Sequence, residues 1–563
     1  MSTQNTSKTE AQSVRERIRS RYGVNRRLAG VPDASPAARC CNGTFVGRYE
    51  GDASVFRGIP FAEPPIGALR WKKPVPAPDA DAVFEAYYNG KTPIQTEWET
   101  ERASYYPQGE DCLYLNVWAN RACAQDNKPV MVFFHGGAYG WGGTADPLYD
   151  GRAFVTAEPD IVLITVGYRV GLMGFVDFSE VPGGEAYLDA PNLGLWDQIE
   201  ALRWVQKNAR AFGGDPDNVT VFGESAGGGS VSLLPFLPAA KGLFRRAIAE
   251  SGSVALTYAK SECLGFTKKL LKESGAKTMQ DLLALSEEDL MRVNKPLNQY
   301  NNFPQRDGVL IPLDPYAAYA SGETTGVDLM IGTNANEMNY WIGEIGGIVP
   351  FRFGIPIKFE NDLKRLSAED RKAAKLFLKN RRGHEIWRMC EFYNELMFRL
   401  PAIRQAELHT ARGGKAYLYY WTQPSTIPRY GACHAVELAY VFGNTEDTIY
   451  TGTPADPDLS RFVMRLWTSF ARTGTPDAGE LTWNTYDADT RETMVLCTSP
   501  HTERDIKGDQ RKLLSPMLRY MLNASYAEMD LQVPFVGKVI VKILGVIAVL
   551  GLIALFILYL LPD

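Results

Sequence analysis

The chain has 563 residues, 45% of them hydrophobic and 22% charged, close to ordinary globular usage and long enough for a large core. Its formal net charge of −5 gives no global attraction to nucleic acid, so no nucleic-acid partner is expected. The eight cysteines are scattered with no CxxC pair, which argues against a zinc site.

The amino-terminal stretch "MSTQNTSKTEAQSVRERIRSRYGVNRRLAG" lacks the apolar run of a secretory signal. Lys8, Arg15, Arg17, Arg19, Arg21, Arg26 and Arg27 face only Glu10 and Glu16 there. Residues 1–40 are therefore expected to form a solvated, disordered basic arm, with a resting place on anionic lipid as the alternative. Residues 41–530 contain no low-complexity linker or repeat and read as one domain. "PVMVFFHGG" (129–137) is a buried strand running into glycines, and "DIVLITVGYRVG" (160–171) is another. "QIEALRWVQKNARAFGG" (198–214) is an amphipathic helix stopped by Gly213 and Gly214. The short strand "NVTVFG" precedes "ESAGGG", and "VDLMIGTN" (327–334) and "KAYLYYWTQ" (415–423) are later strands. Such alternation predicts an α/β fold with a mostly parallel central sheet flanked by helices, its chemistry at the carboxyl ends of strands. Residues 531–563 are read as a membrane anchor. Ile543 to Leu561 carries no charge and no proline and would span about 28 Å as a helix, close to the roughly 30 Å hydrocarbon core. Lys538 and Lys542 before it predict a single-pass carboxyl-terminal transmembrane helix with the main domain cytoplasmic.

Gly223-Glu-Ser225-Ala-Gly227 fits G-x-S-x-G between a strand and a helix-like run, the setting of a nucleophile elbow. A serine hydroxyl needs a base, and the partners of an elbow serine follow it in the order acid, histidine. His135 precedes the serine; His384 and His501 sit in polar surroundings; His409 lies near a helix end, where a cation would suit the dipole. His434, in "YGACHAVELAYVFG", follows a strand by a loop and is the expected base; a Cys433 thiol nucleophile lacks an elbow. Glu337, just past "VDLMIG" and a turn, is the expected acid, ahead of Asp328 and Glu344, which read as solvent-facing. "FFHGGAYGWGG" (133–143) places Gly137 and Ala138 at a strand end, where their N–H groups and that of Ala226 could form an oxyanion hole. Tyr139, Trp141, Tyr340 and Trp341 flank these segments and could line a pocket or belong to the core.

With these residues in hand, the chain resembles the type-B carboxylesterase and cholinesterase family of the α/β-hydrolase fold. The resemblance spans roughly residues 41–530 and rests on "FRGIPFAEPPIGALRWKKP", "EDCLYLNVW", "HGGAYGWGG", "GYRVGLMGF", "NLGLWDQIEALRWVQKNARAFGGDPDNVTVFGESAGG", "GTNANE" and "HAVELAYVFG". It implies Ser225 as nucleophile, Glu337 as acid, His434 as base and an oxyanion hole from Gly137, Ala138 and Ala226. Secreted relatives pair the cysteine that matches Cys112 with an earlier one absent here, so Cys112 is expected as a free thiol. The family's choline-binding tryptophan has no match at its place, Trp98 being offset, which speaks against a cholinesterase. Ala138 stands where many relatives have a third glycine, and its methyl is expected to exclude bulky tertiary-alcohol esters. The expected function is a membrane-tethered serine hydrolase of small-molecule carboxylic esters, with no metal or organic cofactor. A lipase-like hydrolase of long-chain acyl lipids and a catalytically silent, neuroligin-like binding protein are the alternatives.

Overall fold

The computed structural model describes residues 14–521 apart from 96–101, 124–125, 298–301, 345–348, 478 and 480. The apolar segment 543–561 and Trp98 lie outside the described residues, and among those described no helix is long and apolar enough to cross a membrane. An 11-stranded sheet forms the centre. In chain order its strands are β1 (Arg48–Glu50), β2 (Ala53–Pro60), β3 (Tyr114–Asn120), β4 (Lys128–Phe134), β5 (Val162–Val166), β6 (Gly214–Glu224), β7 (Arg246–Glu250), β8 (Asp328–Asn334), β9 (Ala416–Trp421), β10 (Glu492–Leu496) and β11 (His501–Arg504). Across the sheet they run β1-β2-β3-β5-β4-β6-β7-β8-β9-β10-β11, parallel from β5 through β10 and antiparallel at both margins.

The parallel strands are buried on both faces, which explains their unbroken apolar runs. Period-two alternation still divides β4: Val130, Val132 and Phe134 enter one core, Met131 and Phe133 the other. The first core is covered by α1 (Leu193–Asn208) through Leu195, Ile199, Leu202 and Val205, and by α2 (Ala226–Leu233) through Val231 and Leu233. The second is covered by α3 (Pro457–Thr473) through Leu459, Val463, Leu466, Trp467 and Phe470. α1 continues into a 3₁₀ turn, and Gly213 closes it at φ +78°, the left-handed cap its sequence predicts.

The amino-terminal region departs from expectation. Residues 14–20 are helical, Arg27–Leu28 pairs with Val83–Glu85 in a second, four-stranded sheet, and Ile18 is fully buried. Residues 14–40 therefore belong to the folded body rather than to a solvated arm. Charge counting misses this because buried Ile18 and the pairing of Arg21 with buried Asp150 anchor the segment. Cys112 is buried as a free thiol.

Candidate active site

Ser225 sits between the end of β6 and the first residue of α2 with φ +57° and ψ −117°. A non-glycine residue at positive φ is strained, and here it turns the chain sharply enough to present the side chain above the sheet. Two of its neighbours must be glycine for steric reasons. A Cβ on Gly227 would lie 1.9 Å from the Phe134 carbonyl oxygen, and one on Gly223 only 2.6 Å from that same oxygen. The turn is fixed by hydrogen bonds from Ser225 N–H to the Glu250 carbonyl (2.8 Å) and from Gly229 N–H to the Ser225 carbonyl (2.8 Å).

The acid and histidine candidates come from loops after β8 and β9, stitched to each other before either side chain acts. Asn336 N–H donates to the Ala432 carbonyl (2.8 Å), and the Asn334 side-chain amide donates to the Cys433 carbonyl (2.8 Å). Glu337, fully buried, accepts the Asn334 N–H on Oε1 (2.7 Å) and meets His434 Nδ1 with Oε2 (2.6 Å). His434 Nε2 is 3.1 Å from Glu224 Oε1 and has no hydrogen-bond partner among the described residues. Ser225, His434 and Glu224 line one narrow cavity of about 70 Å³, together with Gly136, Gly137 and Ala138. Trp141, Tyr340 and Trp341 line it too, whereas Tyr139 is core, fully buried with its hydroxyl accepting from Ser230.

Gly137 lies at φ +104°, where a Cβ would strike the Trp141 carbonyl oxygen at 2.1 Å. Ala138 follows at φ +50°, a conformation that favours glycine, so its methyl faces the cavity at some backbone cost. Ala226 opens α2 beside Ser225, with its N–H at a helix start. Ala138→Gly should therefore keep the fold and admit tertiary-alcohol esters. The check is tert-butyl acetate hydrolysis, with the wild type slow and the variant at least about tenfold faster, the worth of about 1.4 kcal/mol; a wild type that cleaves it rapidly refutes the steric reading.

The remaining histidines are accounted for. His135 is buried with Nδ1 on the Gly136 carbonyl (2.8 Å), stacks on Tyr168, and is held near 4 by burial. His409 is not the expected helix-end cation. It is buried, its Nδ1 shares a hydrogen bond with the Thr324 hydroxyl (2.8 Å), and burial lowers it to about 4, so it is neutral. His384 caps a helix and His501 is exposed. Asp328 is half-buried beside Arg246, and the side chain of Glu344 lies outside the described residues.

Three further glutamates, passed over in the sequence, gather beside the site: Glu224 and Glu437 act on the imidazole, and Glu250 neighbours both of them. Glu224, Glu250 and Glu437 are all buried. Glu437 accepts from the Asn334 amide on Oε2 (2.5 Å), and Glu250 accepts from Trp467 Nε1 (2.5 Å). Burial, reinforced by the Glu437, Glu337 and Glu250 carboxylates against His434, holds the Glu224 carboxyl well above its ordinary range. Burial and Glu437 raise Glu250 to about 8, and burial and Glu337 raise Glu437 to about 7. Burial opposes the imidazolium of His434, but Glu224, Glu337 and Glu437 outweigh it and lift the ring from 6.5 to about 9. Their signals were present, Glu224 directly before the serine and Glu437 three residues after the histidine, but nothing local told that they are buried.

A mostly parallel sheet carrying a serine on a strained strand-to-helix turn, with a buried imidazole on the same cavity, defines an α/β hydrolase. Residues 34–513 match the model of the carboxylesterase family, and the chain belongs to that family as a carboxylic ester hydrolase. It is 35% identical over 492 residues to the para-nitrobenzyl esterase of Bacillus subtilis (strain 168), covering 84% of this chain and 97% of that one. It is 30% identical over 525 residues to human cocaine esterase, covering 85% and 91%. Among solved structures, a Geobacillus stearothermophilus carboxylesterase at pH 6.2 superposes with a TM-score of 0.77 at 30% identity, covering 85% of this chain and all of that one.

Proposed function

We propose that the protein hydrolyses small carboxylic esters through an acyl-enzyme, with Ser225 as nucleophile, His434 as general base and Glu337 as the acid that orients it. The observation that carries this is the 2.6 Å contact of Glu337 with His434 Nδ1 beside a cavity that Ser225 also lines. His434 Nε2, without a hydrogen-bond partner among the described residues, keeps its lone pair for the serine proton. Ser225 Oγ adds to the ester carbonyl as its proton passes to Nε2; the imidazolium then protonates the departing alcohol. Water repeats the sequence on the acyl-enzyme and releases the acid. The N–H groups of Gly137, Ala138 and Ala226 take the charge of the tetrahedral oxygen, each such donor being worth about 10²–10³ in turnover. The narrow cavity, about 70 Å³ against roughly 300–1,000 Å³ for drug-sized ligand sites, favours small esters over long-chain acyl lipids. The apolar run Ile543 to Leu561 and the preceding Lys538 and Lys542 support a membrane tether with the catalytic body cytoplasmic. Hydrolysis of a series of chromogenic esters of rising acyl length tests the substrate reading; a rate that climbs toward long chains refutes it.

The carboxylates around His434 set the expected pH behaviour. A base must be neutral to accept a proton, so turnover should fall as pH drops through the raised value near 9. Glu224→Gln removes one of the charges that raise the ring, so the acid limb of kcat/KM should move to lower pH. The imidazolium of the transition state also loses a partner 3.1 Å away, and kcat at the optimum should drop about tenfold, within the range of a charge-assisted contact. A limb that stays put or moves upward in the pH–rate profile overturns this assignment.

A further inference from the structure

One wall of the catalytic cavity is polar. Arg102, Tyr106, Asp146 and Tyr149 line it, in a cavity that Trp141 and Trp341 also line. Arg102 ties Asp146 (2.7 Å) to Asp447 (2.5 Å), and the Tyr106 hydroxyl donates to the second oxygen of Asp146 (2.7 Å). At Tyr149 this wall rests on the second core, against Phe133 and Phe442, but at Tyr106 it does not. Tyr106 and Ala145 belong to a small separate cluster whose third fully packed member is Ile18, with Val14, Tyr22 and Tyr105 at its margin. Three residues on, Arg21 reaches the opposite end of the same wall and donates to Asp150 (2.5 Å), just past Asp146 and Tyr149. The segment is fastened elsewhere on the body, by Asn89 N–H on the Arg21 carbonyl (2.8 Å) and by the Asn25 amide on the Tyr88 carbonyl (2.9 Å).

We propose that residues 14–22 are a positioning element for the catalytic cavity, with Ile18 and Arg21 clamping the two ends of the wall formed by Tyr106 and Asp146–Asp150. Neither residue touches the reacting atoms; each acts through a wall residue. The clamp keeps the cavity narrow and so sets which esters fit. Because it is supplied by a segment remote in sequence and outside the main cores, loosening it widens the cavity without dismantling the sheet. The inference rests on the reading of this cavity as the site of ester hydrolysis.

The test uses the full chain in detergent, with Ile18→Asp and Arg21→Gln beside the conservative Ile18→Val and Arg21→Lys. Selectivity is kcat/KM for a bulky naphthyl benzoate over that for para-nitrophenyl acetate. It should rise about fivefold or more in Ile18→Asp and Arg21→Gln, inside the roughly 2–30-fold span of such couplings. Acetate turnover should stay within about twofold, since nothing at the serine has changed. Ile18→Val and Arg21→Lys should behave as wild type. If Ile18→Asp does not fold, Arg21→Gln decides alone, because Arg152 and Arg57 still compensate Asp150 there. Unchanged or lowered selectivity in a folded Arg21→Gln protein, or equal loss on both esters, overturns the proposal. A wild type that cleaves both esters while the variants match it sinks the clamp alone; a wild type that cleaves neither sinks the cavity assignment with it.

Discussion

Ser225→Ala should lower kcat on para-nitrophenyl acetate by roughly 10⁵–10⁶-fold, the scale at which losing an activated serine is felt in other hydrolases. KM should change little, because the hydroxyl contributes to bond making rather than to holding the ester. The fold should survive. The positive φ at this position is enforced by Gly227 packed on the Phe134 carbonyl and by the Ser225 N–H bond to the Glu250 carbonyl, neither of which involves the side chain. Alanine, like serine, bears a Cβ and meets the same backbone strain, so the elbow costs the variant no more than the wild type. On the proposed mechanism an oxyanion site then remains without a nucleophile, and residual hydrolysis near 10³–10⁴ above water is the expected floor. A fluorophosphonate probe should label the wild type and leave the variant unmarked. Retained labelling, or turnover within about a hundredfold of wild type, would remove Ser225 from the mechanism and leave the cavity without its nucleophile.

Much of this was legible in the chain. β4, β6, β8 and β9 lie within a few residues of where their apolar runs end, because a strand buried on both faces has no other use for such a run. The glycines around Ser225 announce a turn whose geometry, not its composition, is the point. The elbow's order of partners and the small number of histidines point to His434 and Glu337, which the structure brings within 2.6 Å of each other. Other features depend on distant contacts that leave no local mark. Ile18 is one apolar residue among arginines until Tyr106 and Ala145 close over it. His409 looks like a helix-end cation until Thr324 and burial make it neutral. Glu224, Glu250 and Glu437 read as ordinary polar residues, and only the folded chain gathers them into one buried cluster beside His434. Crowding carboxylates into a dry site is costly, and on the proposed mechanism the imidazolium of His434 offsets that cost.

Glu337→Gln isolates that arrangement from the nucleophile. The side chain keeps its shape, but its two ends are no longer equivalent. Oε1 accepts the Asn334 N–H at 2.7 Å, so the amide must turn its oxygen there; an N–H placed against an N–H would leave two buried donors unpaired. The NH₂ then faces His434 Nδ1, which has to become the acceptor, and the ring proton moves to Nε2. That nitrogen, the one needed to take the serine proton, is now occupied. A comparable carboxylate-to-amide change in a serine protease costs about 10⁴ in kcat through the same tautomer error. Here Glu224, 3.1 Å from Nε2, can accept the misplaced proton as a hydrogen bond and so deepens the error rather than relieving it. We therefore expect a fall of about 10³–10⁴ in kcat with near-normal KM. Removing Glu337 also removes one of the charges that lift His434 to about 9, so the ring should titrate lower. Proton NMR of the ring would show the tautomer directly. A loss under about tenfold, with the proton still on Nδ1, would mean that Glu337 does not orient the base and that another of the buried glutamates does.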